Sequence, residues 1–269
     1  MATSIIKVLD RKKNMKLNYY KKHNSFLDLE VKNNYNKIEI NNKIKNIIYN
    51  SIKAKKINEK EIKILKNINN DLFKNENNSD NFFKLTSNVI EEILSLEDEQ
   101  IPKYLIHRYR YEIYPRKRIL DEYPPYLQIE PTSICNYRCV FCFMTDSSLT
   151  NKKNGHMGNM TYETFKRVID AAKGNIEFVS LASRGEPLAC KDIEKMLYYT
   201  EGKFLNLKIN TNASLLNEKK AHAILSGGVK TLVISADAAD ENTYKKLRVR
   251  GDLNKVLKNL ELFNLIKEK

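Results

Sequence analysis

The chain has no tryptophan and only four cysteines in 269 residues, so 15 tyrosines and 10 phenylalanines carry its aromatic content. No apolar run reaches the length of about eighteen residues that a membrane span needs, and this excludes a spanning helix. The opening MATSIIKVLDRKKNMK lacks an apolar core long enough for a secretory signal. A cytoplasmic location is therefore the expectation. In that compartment, clustered cysteines bind metal or do chemistry more often than they form disulfides.

Acidic charge is also short. Lys and Arg number 47 against 33 Asp and Glu, a formal net charge of +14. Residues 1–120 hold 25 basic against 15 acidic side chains, and residues 121–269 hold 22 against 18. A basic front could meet nucleic acid or an anionic membrane surface. It lacks the aromatic-rich signature of an RNA-binding surface. Asn, Lys and Ile also rise together there, as AT-rich coding produces, so a solvated face is the plainer reading.

Hydrophobic residues make up 42% of the chain, which is enough for a packed core. The length fits one good-sized domain with an appendage, or two small domains. The first region, 1–120, reads as mainly helical. Ile recurs at helical intervals over 38–73, so one or two helices are expected there. A helix over 81–99 would align Phe82, Leu85, Val89, Ile93 and Leu96, and 102–114 reads as a short helix. The segments NNYN, NNDL and NENNSDN read as turns, because Asn is a poor helix former. The first thirty residues are expected to lack order.

The second region, 121–269, changes rhythm. Strands are expected at 126–131, 176–183, 204–211 and 230–237. Helices are expected at 161–173 with Thr161 as N-cap, at 191–201, at 217–228 ended by glycine, at 241–247 and at 253–267. This alternation gives an α/β fold of parallel βαβ units, with functional groups at the C-terminal strand ends.

Three of the four cysteines crowd into CNYRCVFC: Cys135, Cys139 and Cys142. Their spacing, C-x3-C-x2-C, lets one compact loop aim three thiolates at one centre. Structural zinc wants four closed ligands, usually from two paired motifs, and no second pair follows. Three thiolates fit a four-iron cluster with one iron left open. The remaining cysteine, Cys190 in PLAC, reads as a small buried residue. As a fourth ligand it would revive the zinc reading.

The motif C-x3-C-x-aromatic-C, with Phe141 before the last cysteine, resembles the signature of radical S-adenosylmethionine (SAM) enzymes. RGEPL (184–188) is similar to that family's GGEP segment, with Arg184 where glycine is more common. NTNASLL (210–216) resembles its TNG-x-LL segment, with Ala213 in place of glycine. VISADAADENTYKKLR (233–248) resembles its fourth-strand segment. The likeness covers about residues 123–269, and is strongest to the branch with molybdenum-cofactor, peptide-modifying and sulfatase-maturing enzymes.

The resemblance implies a [4Fe–4S] cluster on Cys135, Cys139 and Cys142 and a SAM molecule on its open iron. It implies cofactor contacts at Phe141, Gly185, Glu186, Pro187, Asn210, Asn212, Ser235 and Asp237. Phe141 would lie near the adenine, and backbone around Glu186 would meet the SAM amino group. An electron donor such as flavodoxin or ferredoxin would be a partner. The substrate and any catalytic side chain stay unassigned.

About four βα units are legible where the family barrel usually has six. The barrel is therefore expected to be incomplete, with a further chain or segment completing it. A reading of another class is a non-catalytic zinc or iron–sulfur module, or an inactive fragment of a larger enzyme. Of the other candidates, His156 reads as a surface-loop residue or as one near the substrate, and Arg248 and Arg250 as a solvated helix end or as contacts to a carboxylate or phosphate. RYRY (108–111) reads as a segment that packs against the barrel.

Overall fold

The computed structural model describes residues 5–8, 18–21, 36–54, 57–73 and 81–269. Near the front, β1 (Ile5–Val8) and β2 (Asn18–Lys21) pair antiparallel. The rest of the segment expected to lack order lies outside the described residues, as does nearly all of NENNSDN. Isoleucines at four-residue spacing then build α1 (Lys37–Ala54), which buries Ile40, Ile44 and Ile48. Asn36, the last residue of NNYN, accepts the Ile38 and Glu39 N–H groups at the start of α1. α2 (Glu59–Phe73) buries Ile64, Leu65 and Ile68 and packs on α1.

NNDL is not a turn but the last part of α2, because the propensity of Asn is a weak prior beside the packing of neighbouring Ile68. The 81–99 segment is helical only over α3 (Ser87–Leu94), since the Thr86 hydroxyl caps the Val89 N–H and starts the helix there. α4 (Ile101–Arg116) follows.

The chain divides into two compact units, Met1–Pro102 and Lys103–Lys269. Most of α4, which a division near residue 120 counts with the N-terminal region, belongs to the second unit. Of RYRY, Arg110 reaches Asp121 at 2.6 Å and the Tyr123 carbonyl at 2.6 Å, and Tyr109 is buried, while Tyr111 is exposed.

The second unit is built on four strands. After β3 (Tyr126–Ile129) come the two-residue β4 (Arg138–Cys139), a short α5 (Ser147–Thr150) and α6 (Tyr162–Ala172). Then β5 (Phe178–Leu181), α7 (Ile193–Tyr199), β6 (Asn206–Thr211), α8 (Glu218–Ser226) and β7 (Val229–Ile234) alternate. The chain continues through α9 (Glu241–Leu247), β8 (Arg248–Val249) and α10 (Leu253–Lys267). β3, β5, β6 and β7 form one parallel sheet in that order.

Burial alternates along β6: Leu207, Ile209 and Thr211 are buried, and Asn206, Lys208 and Asn210 less so. Leu207 and Ile209 join Val179, Leu181, Phe165, Ile169, Met196, Leu197 and Ile224 in the core between sheet and helices. Each such side chain stabilises the fold by ~1.5–3 kcal/mol relative to exposure. His107 of α4 stacks on Phe178 of β5, with ring centroids 3.6 Å apart and planes 7° apart.

β4 and β8 form a separate antiparallel pair, with Cys139 opposite Arg248. It brings the end of α9 back onto the cysteine loop. No helix among the described residues is long and apolar enough to cross a membrane.

Candidate functional site

In a parallel sheet the C-terminal strand ends lie on one side, and the loops that follow them gather there. The cysteine loop follows β3. Its backbone turns tightly, with the Cys142 N–H on the Cys139 carbonyl at 3.0 Å and the Thr145 N–H on the Cys142 carbonyl at 3.0 Å. The Arg138 guanidinium closes the loop from within, donating to the carbonyls of Cys135 at 2.8 Å and Tyr137 at 2.7 Å. Asn136 ties the loop to the end of β6 through Ser214 at 2.8 Å and Asn212 at 3.1 Å.

All four cysteines are free. Each of the three loop sulfurs accepts one N–H donor: Tyr137 N–H to Cys135 at 3.4 Å, Met144 N–H to Cys142 at 3.5 Å, and Arg248 Nη1 to Cys139 at 3.7 Å. Burial pushes the Cys135 and Cys139 thiols up, and the Arg248 guanidinium pulls Cys139 back toward the thiolate. Cys190 belongs to the core between sheet and helices, with its sulfur 4.0 Å from that of Met196. Among the described residues, no group of three or more His, Cys, Asp and Glu stands close enough to hold one metal ion. A tetrahedral zinc would draw its sulfurs to within about 4 Å of each other. A cluster gives each cysteine its own iron and asks for wider spacing. The three loop thiols, each with its own N–H donor, are the residues that would hold a cluster.

The loop after β5 presses on the cysteine loop. Gly185 has φ +67°, and a Cβ there would lie 2.3 Å from the Thr132 carbonyl oxygen and 2.9 Å from that of Ile134. Only glycine allows that approach. The next residue, Glu186, donates its N–H to the Ile134 carbonyl at 2.9 Å. Its carboxylate is 2% exposed and fully engaged. Oε1 accepts from the Thr211 hydroxyl at 2.5 Å and the Leu188 N–H at 3.1 Å, and Oε2 accepts the Asn212 N–H at 2.8 Å. Burial pushes this carboxyl up, against the pull of its donors. Pro187 then starts a short 3-10 turn.

Arg184 donates its backbone N–H and its guanidinium to Glu130, at 3.0, 3.1 and 2.8 Å. Those bonds hold the Glu130 carboxyl below its usual range despite the opposing effect of burial. After β6, Ala213 takes a left-handed φ of 57°, the conformation glycine favours. Asn212 is buried and bonds Ser214 and Asn136, and Asn210 Oδ1 is buried without a protein donor. After β7, the Ser235 N–H reaches the Thr211 carbonyl at 2.9 Å, and Asp237 pairs with Arg248.

Residues 129–265 match the Radical SAM superfamily. The chain belongs to the radical SAM superfamily. The GTP 3',8-cyclase of Clostridium botulinum (strain Hall) is 34% identical over 142 residues, 51% of this chain and 42% of that one. The GTP 3',8-cyclase of Campylobacter fetus is 31% identical over 147 residues, 54% and 43% of the two chains. The chain thus spans about two fifths of the length of these curated relatives. The structure of Streptococcus suis SuiB bound to precursor peptide SuiA matches 66% of this chain and 41% of SuiB, at 23% identity and a TM-score of 0.47.

For this radical SAM chain, the sequence-derived residues fall into two groups. Cys135, Cys139, Cys142, Gly185, Glu186 and Asn212 are linked directly or through one neighbour. Phe141, next to Cys142 in the chain, is 58% exposed, and the Arg248 guanidinium carbon lies 5.6 Å from its ring centroid. His156 and Arg250 are exposed. Arg248 is not a solvated helix end: it is buried, because its partners are on the cysteine loop and the β7 loop. Glu130 went unread in the sequence, although its place just past β3 was a usable signal.

Proposed function

We propose that residues 121–269 bind a [4Fe–4S] cluster through Cys135, Cys139 and Cys142, and bind SAM at the open iron. The observation that carries this reading is the loop itself: three free thiols, each with its own N–H donor, and Cys190 buried elsewhere. When bound, cluster and SAM supply reductive cleavage of the sulfur–C5′ bond and a 5′-deoxyadenosyl radical that takes hydrogen from a substrate.

The chain's own residues do the positioning. The Tyr137 N–H and the Arg248 guanidinium work against the burial that raises the Cys135 and Cys139 thiols, and the Met144 N–H donates to the Cys142 sulfur. Gly185 and Pro187 fix the turn that would meet the SAM amino group, and Glu186 acts by binding that turn to Thr211 and Asn212. The Asn210 oxygen, buried without a protein donor, is an acceptor for the cofactor. Ser235 and Asp237 border the same end of the sheet, and Phe141 offers an exposed ring for the adenine. A one-electron donor of the flavodoxin or ferredoxin kind is the partner. A further segment would complete the barrel beyond the four strands. A cytoplasmic location keeps the thiols reduced.

The test is anaerobic reconstitution followed by reductive cleavage of SAM. The expected result is a brown protein with about four irons, bleached by dithionite. It should release more 5′-deoxyadenosine than a Cys139→Ala variant. One tightly held zinc and no iron would overturn the reading in favour of a non-catalytic module.

A further inference from the structure

Arg248 is neither a cluster ligand nor a SAM contact in the reading above, yet its side chain is only 8% exposed. Its placement is over-determined. The backbone of Arg248 is paired with that of Cys139, and the Val140 N–H donates to the Leu247 carbonyl at 2.9 Å. The guanidinium donates from Nε to the Ala236 carbonyl at 3.3 Å, pairs through Nη2 with Asp237, and points Nη1 at the Cys139 sulfur at 3.7 Å. Its guanidinium carbon also lies 5.6 Å from the centroid of the Phe141 ring. The three ligand sulfurs are therefore not equivalent. Cys135 and Cys142 receive neutral backbone donors, and Cys139 receives a full positive charge. A guanidinium stays charged across the biological pH range. Buried, it is little screened by salt.

We infer that Arg248 sets the reduction potential of a [4Fe–4S] cluster on this loop, and that Asp237 limits how much of the Arg248 charge the cluster feels. The inference rests on the cluster reading proposed above. Reduction adds one electron and no proton, taken from a one-electron donor protein, and no bond in the protein forms or breaks. The added negative charge spreads over the ligand sulfurs. Charge and hydrogen bonds at those sulfurs are what tune such potentials. Arg248 stabilises the reduced state, so its loss lowers the potential. Asp237 offsets part of that charge, so its loss raises the potential.

The experiment is a mediated redox titration without SAM, followed by the electron paramagnetic resonance signal of the reduced cluster. Wild type, Arg248→Gln, Arg248→Lys and Asp237→Asn are compared after iron content is measured for each. Arg248→Gln should titrate at a more negative potential than wild type, Arg248→Lys between the two, and Asp237→Asn at a less negative one. Opposite shifts from the two partners are not what simple loosening of the loop would produce. Should Arg248→Gln fail to load iron, the Lys and Asn variants still decide the matter. Equal potentials in loaded variants, or a shift of the same sign for Gln and Asn, would overturn this inference and leave the cluster reading standing. A wild-type protein that binds no iron overturns both.

Discussion

Gly185 shows how strictly one residue can be specified by its neighbours. Its φ is left-handed, and the space for a side chain is filled by the backbone of Thr132 to Ile134. Backbone cannot move aside as a flexible side chain can. Gly185→Ala is expected to destabilise the second unit by about 3 kcal/mol, read by chemical denaturation of the apoprotein. Glu186 is specified by chemistry. Glu186→Gln keeps the shape but replaces an acceptor oxygen with a donor, facing the Thr211 hydroxyl or the Asn212 N–H. A loss of about 1–3 kcal/mol is expected in the same measurement. The Glu130–Arg184 pair is half-exposed and contributes less, about 1 kcal/mol or under. Its sign is fixed by the lowered Glu130 carboxyl: the contribution is present above the unfolded-state value and is lost as pH falls through the folded one. Arg184→Gln should therefore weaken the protein at neutral pH and narrow its gap from wild type in acid.

At the scale of elements, α4 carries a titrating contact. His107 is stacked on Phe178, with Nδ1 2.8 Å from the Pro125 carbonyl oxygen. Burial, with Arg108 and Arg110 nearby, lowers its pKa from 6.5 to about 3. The unfolded chain then binds more protons than the folded one between those values. Stability should fall as pH drops through that window, by at most about 1.4 kcal/mol per pH unit from this one group. A His107→Phe variant should show a flatter pH dependence of its denaturation midpoint. The strands and caps around the site were legible because their causes are local: alternating apolar residues for β6, and Thr161 accepting the Thr164 N–H at the start of α6. Two features were not. NNDL reads as a turn until the burial of Ile68 is known. The β4–β8 pair has only two residues on each strand, too few for any periodicity, and its cause lies in the distant partner. For the same reason the sequence left Arg248 open between a solvated helix end and a contact to a carboxylate, and the structure shows the second, with Asp237. An arginine after a helix looks solvated until the strand opposite it is identified.

For the whole molecule, iron is the deciding quantity. Cys190 is core and the other three cysteines share a loop, so Cys190→Ser should keep about four irons per chain while Cys139→Ala loses most of them. Iron and sulfide assay of reconstituted protein separates these outcomes. Equal loss from both variants would bring Cys190 back as a ligand. The loop they surround is closed by residues far along the chain: 109 positions separate Cys139 from Arg248. A ribosome adding about 5–20 residues per second makes Arg248 roughly 5–20 s after Cys139. During that interval Cys139 lacks its Arg248 donor, while Cys135 and Cys142 already have their local backbone donors. The Cys139 side of the loop thus gains its Arg248 contact only after α9 and the residue behind it have been made.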